Sequence, residues 1–251
     1  MIEDDKQPFM SHLEELRKRL VACAIAVGVG FVAAYFFKER LFELLVMPLK
    51  RVLPEGDKLI FTNLPEMFFT YLKVAFVAGL LAAMPFIFYE IWMFVAPGLY
   101  QKEKKFLIPF VASSSILFVG GALFGYFVVF PFGFKFFMSF ANDYIKPLPS
   151  VKQYFAFSTK LLLAFGLVFE LPVATFFLAK MGLVTSDFLK KQRKFAILLI
   201  FVGAAILTPP DVITQIMMAG PLLVLYEISI WVAKLAGKKK SEEEEGEEES
   251  D

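Results

Sequence analysis

Apolar residues dominate this chain in long runs, broken by short charged or proline-rich stretches. The clearest run, Val74 to Val95, is 22 residues with one carboxylate, Glu90, and one proline, Pro85. As a helix it measures about 33 Å, enough to cross a hydrocarbon core of roughly 30 Å. Pro97-Gly98 then breaks the run, and Leu99 to Lys105 sets Glu103 among Lys102, Lys104 and Lys105 before the next apolar run opens at Phe106. A charged connection this short, with a span on each side, is held at the membrane surface.

The same pattern predicts six spans, at about residues 20–37, 74–95, 106–130, 161–179, 195–207 and 212–231. In span one Ala22, Ala26, Gly30 and Ala34 recur every four residues and make a face of small side chains, which lets helices approach closely in lipid. Internal packing is the plainer use of that face, an oligomer contact the other. Span three carries Gly121-x-x-x-Gly125, a second close-packing signal. Span four has Glu170 midway between Lys160 and Lys180. Span five has only 13 apolar residues, about 20 Å of helix, so it and span six are expected to form a short hairpin beside which the bilayer thins. Between them, Thr208-Pro209-Pro210-Asp211 reads as a tight turn, with Asp211 placed to cap the next helix.

The intervening stretches are read as follows. Residues 1–19 form a polar N-terminal segment in which Ser11 and Glu14 have capping-box spacing and Leu13, Leu16 and Leu20 follow at helical spacing. This predicts a short amphipathic helix on the membrane surface that turns into span one. Residues 38–71 and 131–159 are expected as long loops, with Leu41–Leu49 compatible with a short surface helix and Pro65-Glu66 near the start of the second helix. The tail from 236 to 251 is lysines followed by a glutamate-rich run, a composition that predicts disorder.

Composition narrows the class. Hydrophobic residues make up 58% of the 251, with 32 phenylalanines, above the 45–50% of an ordinary soluble domain. Net charge is +1, which excludes a polyanion or nucleic-acid binder. One cysteine, Cys23, and one histidine, His12, leave no disulfide framework and no multi-ligand metal site. No cleavable signal peptide is read at the N-terminus. An even number of spans places both termini on one side, and 16 of the 26 lysines and arginines fall there. By the positive-inside rule both termini are expected in the cytoplasm.

Chemistry is then sought among the charged residues. Glu170 sits where a carboxylate is costly and usually faces protein or water. It is either a partner contact, a proton site or a trigger for local hydration, or a neutral acid bonded to a neighbouring helix. Glu90 and Glu227 lie about one turn from helix ends and can reach toward water or a lysine. Thr208 and Gln215 are positioned to bond an incoming helix, or only each other. On the cytoplasmic side Glu15 and Glu103 lie among basic residues. Glu15 can pair with Arg19 at i, i+4, and Glu103 with adjacent lysines, but such exposed pairs are worth only about 0.2–1 kcal/mol. Both acids therefore remain available to a better cation, and arginine, whose fork binds carboxylate bidentately, is that cation. His12 reads as a polar surface residue, and no nucleophile–base pair, P-loop or H-E-x-x-H motif points to catalysis.

His12-Leu13-Glu14-Glu15-Leu16-Arg17-Lys18-Arg19-Leu20 resembles the N-terminal signature of the TatC family, the receptor subunits of the twin-arginine protein translocase. Phe94-Val95-Ala96-Pro97-Gly98-Leu99-Tyr100 with Glu103-Lys104-Lys105 resembles its first cytoplasmic loop, Phe165-Gly166 through Phe169-Glu170-Leu171-Pro172 its fourth span, and Thr208-Pro209-Pro210-Asp211 with Pro221 through Ile228 its last hairpin. The resemblance runs in order over about residues 7–235. It implies an all-α membrane protein of the inner membrane: a concave bundle of six transmembrane helices, the last two short, over 20–235, with no enzymatic activity, metal or cofactor. It implies that Glu15 and Glu103 read the twin arginines of a folded cargo's signal peptide, with Arg17, Phe94 and Pro97 in the same surface. It places Glu170 facing the concavity, and Thr208 and Gln215 where single-span TatA or TatB partners dock. Self-association in a larger complex and transport driven by the proton-motive force follow from the same likeness. One departure is Glu90, where the family pattern leads one to expect a neutral polar residue. The main alternative reading of the acids is a proton-coupled small-solute carrier using Glu90, Glu170 and Glu227.

Overall fold

The computed structural model describes residues 6–54, 56–95, 107–142, 144, 147–208 and 212–248. They form helices α1 (Lys6–Tyr35), α2 (Lys38–Lys50), α3 (Glu66–Val95), α4 (Leu107–Phe124), α5 (Phe130–Met138), α6 (Val151–Phe169), α7 (Leu171–Lys180), α8 (Ser186–Lys191), α9 (Arg193–Leu207) and α10 (Val212–Glu248), with a π-helical turn, Gly125–Val129, between α4 and α5. Five segments are long and apolar enough to cross a membrane: Met10–Tyr35, Glu66–Val95, Ile108–Met138, Val151–Lys180 and Val212–Gly237. Helix α9 has 15 residues, about 22 Å, and remains the short arm expected of the final hairpin.

Several boundaries differ from the sequence expectation. The N-terminal segment does not turn into the first span; α1 is one unbroken helix through residue 20, because no glycine or proline interrupts Ser11 to Ala22. The expected loop 131–159 is largely helical, since α5 continues to Met138 and α6 starts at Val151. Pro131 does not stop the chain because of the π turn before it. Phe130 donates its N–H back to the Gly125 carbonyl, and Pro131 at the start of α5 has no N–H to satisfy. Helix α10 runs on through the charged tail to Glu248, where composition had pointed to disorder; Lys and Glu are good helix formers and extend a helix already nucleated. The loop carrying Pro97 and Glu103, and the turn residue Asp211, lie outside the described residues.

The chain forms two compact units, Met1–Ser115 with Leu148–Phe155, and Ile116–Pro147 with Ala156–Asp251. In the first, α1 packs on α3. The small face of α1 is used inside the protein: Ala22, Ala26, Gly30 and Ala34 are half-buried while Val21, Ile25, Val29 and Val32 are exposed. A Cβ on Gly30 would stand 2.7 Å from the carbonyl oxygen of Gly79, and one on Gly79 would strike the backbone of Phe31. The two backbones touch only because both residues are glycine.

The first unit also contains a carboxylate clamp. Glu66 opens α3 and is 7% exposed. Its Oε2 accepts from the Thr62 N–H (3.0 Å), the Thr62 hydroxyl (3.3 Å) and the Asn63 N–H (3.4 Å), and its Oε1 accepts from the Lys152 N–H (3.0 Å) and the Ser150 hydroxyl (3.3 Å). One side chain thus ties the loop before α3 to the start of α6. Beside it Ile60 and Ser150 form an isolated parallel bridge, and the Tyr154 hydroxyl donates to the Leu45 carbonyl at 2.6 Å.

In the second unit Gly121 meets the Phe165 carbonyl and the Phe169 ring, whereas Gly125 is in ordinary contact with the Phe165 ring; of the two expected glycines, Gly121 is the one the packing requires. Phe118, Phe130 and Phe165 are among its most buried side chains. Ala179 on α7 and Ala233 and Ala236 on α10 form a small cluster capped by Phe176 and Leu189.

Candidate functional site

The charged turns of α1 and the last turns of α3 come together in the first unit. Leu16 and Leu20 repeat at helical spacing, so Glu15 and Arg19, four apart, share a face of α1. Arg19 donates to Glu15 Oε1 from Nε at 3.0 Å and from Nη2 at 2.5 Å, and from Nη1 to Glu90 Oε2 at 2.9 Å. The side chains are only partly exposed, 34% for Glu15, 19% for Arg19 and 13% for Glu90. One guanidinium therefore serves two carboxylates, one local and one 71 residues away. Solvent screening is weaker here than at an open surface pair, so the interaction is worth more than the usual exposed bridge.

One turn beyond Glu90, Phe94 stacks on His12 with ring centroids 4.3 Å apart and an interplanar angle of 22°. This gives the corner an aromatic wall beside its carboxylates. Arg17 is exposed. Of the residues expected to act together, Glu15, Arg17 and Phe94 lie on these two helix ends, while Glu103 and Pro97 fall outside the described residues. Sequence reasoning missed His12 as the partner of Phe94 and missed that Glu90 meets Arg19. The departure at Glu90 was the one available signal.

The other singled-out residues fall elsewhere. Glu170 sits at the break between α6 and α7, one turn after Leu167, whose carbonyl accepts its N–H at 3.1 Å. The break follows from Pro172, which lacks the N–H that would continue the ladder. Its Oε1 is shielded from solvent. Thr208 and Gln215 do not bond each other. The Thr208 hydroxyl donates to the Ala204 carbonyl at 2.9 Å, and the Gln215 amide to the Phe201 carbonyl at 3.0 Å; both tie down the end of α9. Glu227 meets Arg193 at 2.7 Å across α9 and α10. On α8 the hydrogen bond from Lys190 to Asp187, 3.0 Å, and the lysine's charge hold the Asp187 carboxyl below the ordinary carboxylate value. Among the described residues no group of His, Cys, Asp and Glu is placed to hold a metal ion.

Long apolar helices whose ends carry arginine–carboxylate ties define a polytopic helical membrane protein. The family described as Sec-independent protein translocase protein (TatC) matches residues 11–221. The TatC of Desulforapulum autotrophicum is 60% identical over 250 residues, covering 99% of this chain and 93% of the relative, and that of Escherichia coli K12 is 39% identical, covering 97% and 95%. A crystal structure titled twin-arginine translocase receptor TatC superposes with a TM-score of 0.80 at 41% identity, over 90% of this chain and 99% of that one. The chain belongs to the TatC family.

Proposed function

We propose that the protein is the receptor of a twin-arginine translocase and that the corner built from Glu15, Arg17, Phe94 and, on the following loop, Pro97 and Glu103 binds the arginine pair of a folded cargo's signal peptide. The observation that carries this is the Arg19 guanidinium held by Glu15 and Glu90: the corner already binds an arginine side chain, with two carboxylates for one cation. An incoming guanidinium can use the same carboxylate geometry, and its planar fork distinguishes it from a lysine ammonium.

In this reading α9 supplies a sixth, short span, both termini are cytoplasmic and the corner faces the cytoplasm. The six-span body covers residues 20–235 between a cytoplasmic N-terminal segment, 1–19, and a cytoplasmic charged tail. The end of the α9–α10 hairpin near Thr208 and Gln215 takes a single-span TatA- or TatB-type partner. Glu170, at a helix break, contributes a polar contact within the membrane during transport driven by the proton-motive force. The carrier alternative is less well supported, because Glu90 and Glu227 are each engaged by an arginine, Arg19 and Arg193.

The test is binding of a fluorescent signal peptide to the purified full-length protein, Arg-Arg against Lys-Lys, with wild type and Glu103→Ala. Selective binding of Arg-Arg, weakened by at least about 1.5 kcal/mol in the variant, is the size expected for a lost charged hydrogen bond. Equal weak binding of both peptides, indifferent to the substitution, overturns the receptor reading.

A further inference from the structure

The corner's own arginine raises a question of occupancy. Both Arg19 donors to Glu15 end on the same oxygen, Oε1, and the bond to Glu90 ends on Oε2. Among the described residues Glu15 Oε2 and Glu90 Oε1 accept no hydrogen bond. A carboxylate offers about four lone-pair sites and a guanidinium five N–H donors. Three contacting groups thus carry a charge surplus of one carboxylate and have acceptor capacity to spare. Neither acid is exposed freely, so a ligand arginine reaches Glu15 only by sharing with or displacing Arg19.

We propose that Arg19 is an internal stand-in for the ligand's guanidinium and that Glu90 is its second anchor: on binding, the peptide arginine takes Glu15 while Arg19 withdraws to Glu90. This rests on the receptor reading above. Arg19 and Glu90 are then positioning residues that set affinity by exchange. Without Glu90, Arg19 has Glu15 as its one carboxylate partner among the described residues and resists leaving it. Without Arg19, Glu15 is open and Glu90 no longer matters to the exchange.

The experiment is a double-mutant cycle on the full-length protein with the fluorescent Arg-Arg peptide. Glu90→Gln is expected to weaken binding about five- to tenfold in the wild-type background and by less than about twofold in an Arg19→Gln background, the coupling expected of contacting groups. Arg19→Gln alone is expected to bind at least as tightly as wild type. Simple long-range attraction predicts instead that Glu90→Gln costs the same factor in both backgrounds, and that additive result overturns the exchange. A second readout needs no variant: the Arg19 Nε–H signal in NMR should shift when peptide is added, and a signal that stays put while peptide binds overturns the proposal. A wild type that binds Arg-Arg no better than Lys-Lys refutes the receptor reading itself and the exchange with it.

Discussion

The two ends of α3 handle carboxylates in opposite ways. At its start Glu66 is buried and accepts from three backbone N–H groups and two hydroxyls, with no cation among these donors. At its end Glu90 is partly exposed and shares one guanidinium with Glu15. The first arrangement is saturated, with five donors on one carboxylate; removing it takes away all five bonds at once. The second has more acceptor capacity than donors. A satisfied carboxylate fixes structure, and a carboxylate sharing a cation can exchange it. The contrast separates the two roles without reference to sequence position.

Replacing Glu66 should therefore have the largest effect on stability. Glu66→Ala is expected to destabilise the protein by about 3 kcal/mol, because five partly buried hydrogen bonds to one buried carboxylate are lost together, three of them from the N–H groups of Thr62, Asn63 and Lys152. Glu66→Gln, which keeps one acceptor oxygen but turns an amide donor toward other donors, should cost about half as much by the same reasoning. Thermal unfolding in detergent checks both. If Glu66→Ala unfolds with the wild type, this end is no more structural than the other and the contrast fails.

That contrast was only half legible in the sequence. Hydrophobic runs reveal helices because burial and lipid exposure act on residues close in the chain, so the five long apolar helices, the i, i+4 pairing of Glu15 with Arg19 and the small face around Gly30 could be read directly. The motif at residues 12–20 and the Phe94 stretch likewise named the family before any geometry. Partners across the fold are another matter. Glu66 meets Ser150 and Lys152 at separations of 84 and 86 residues, and Arg19 meets Glu90 at 71; no periodicity encodes such distances. Proline misled in one place, at Pro131, since a π turn lets a helix pass it. Thr208 and Gln215 were read as bonding an incoming helix or each other; they do not bond each other, and their bonds to backbone carbonyls of α9 were not legible because every sequence offers such acceptors everywhere.

At the other end of α3, Arg19→Ala should cost less, about 1–2 kcal/mol. It leaves two carboxylates facing each other, but part of their charge reaches water, so the penalty falls below that of a fully buried pair. The distinguishing sign is a trade: the same substitution should lower stability and leave peptide affinity equal or higher. At Glu66 no such trade is expected, and peptide selectivity should survive wherever the protein still folds. An Arg19→Ala protein that loses stability and peptide binding together would place Arg19 among purely structural residues.

The pair in the second unit offers a balanced control. Arg193 and Glu227 meet one to one, both about half exposed, so neither acid nor cation is in surplus. Arg193→Ala is expected to change stability by about 0.5 kcal/mol, the size of a screened surface bridge. Raising salt should shrink that difference while leaving the Arg19 effect largely intact. Equal salt sensitivity of the two would mean that the corner at α1 and α3 is as open to solvent as the exposed pair.

The smallest effect belongs to Asp187 and Lys190, where the carboxyl is 82% exposed. Lys190 bonds it and holds its pKa below the ordinary carboxylate value. A lowered folded-state pKa means the unfolded chain binds protons more readily. The pair's stabilisation is thus fully present above the ordinary carboxylate value and is lost as pH falls through the lowered one. Lys190→Ala should move the Asp187 carboxyl back toward its ordinary value in an NMR titration and leave stability at neutral pH almost unchanged. The substitution should also leave Arg-Arg selectivity untouched, because this acid has its own lysine on the same helical turn and, among the described residues, no second carboxylate sharing it. If Lys190→Ala altered peptide binding as strongly as Glu90→Gln, surplus of carboxylate over cation would no longer distinguish a binding corner from a solvated one.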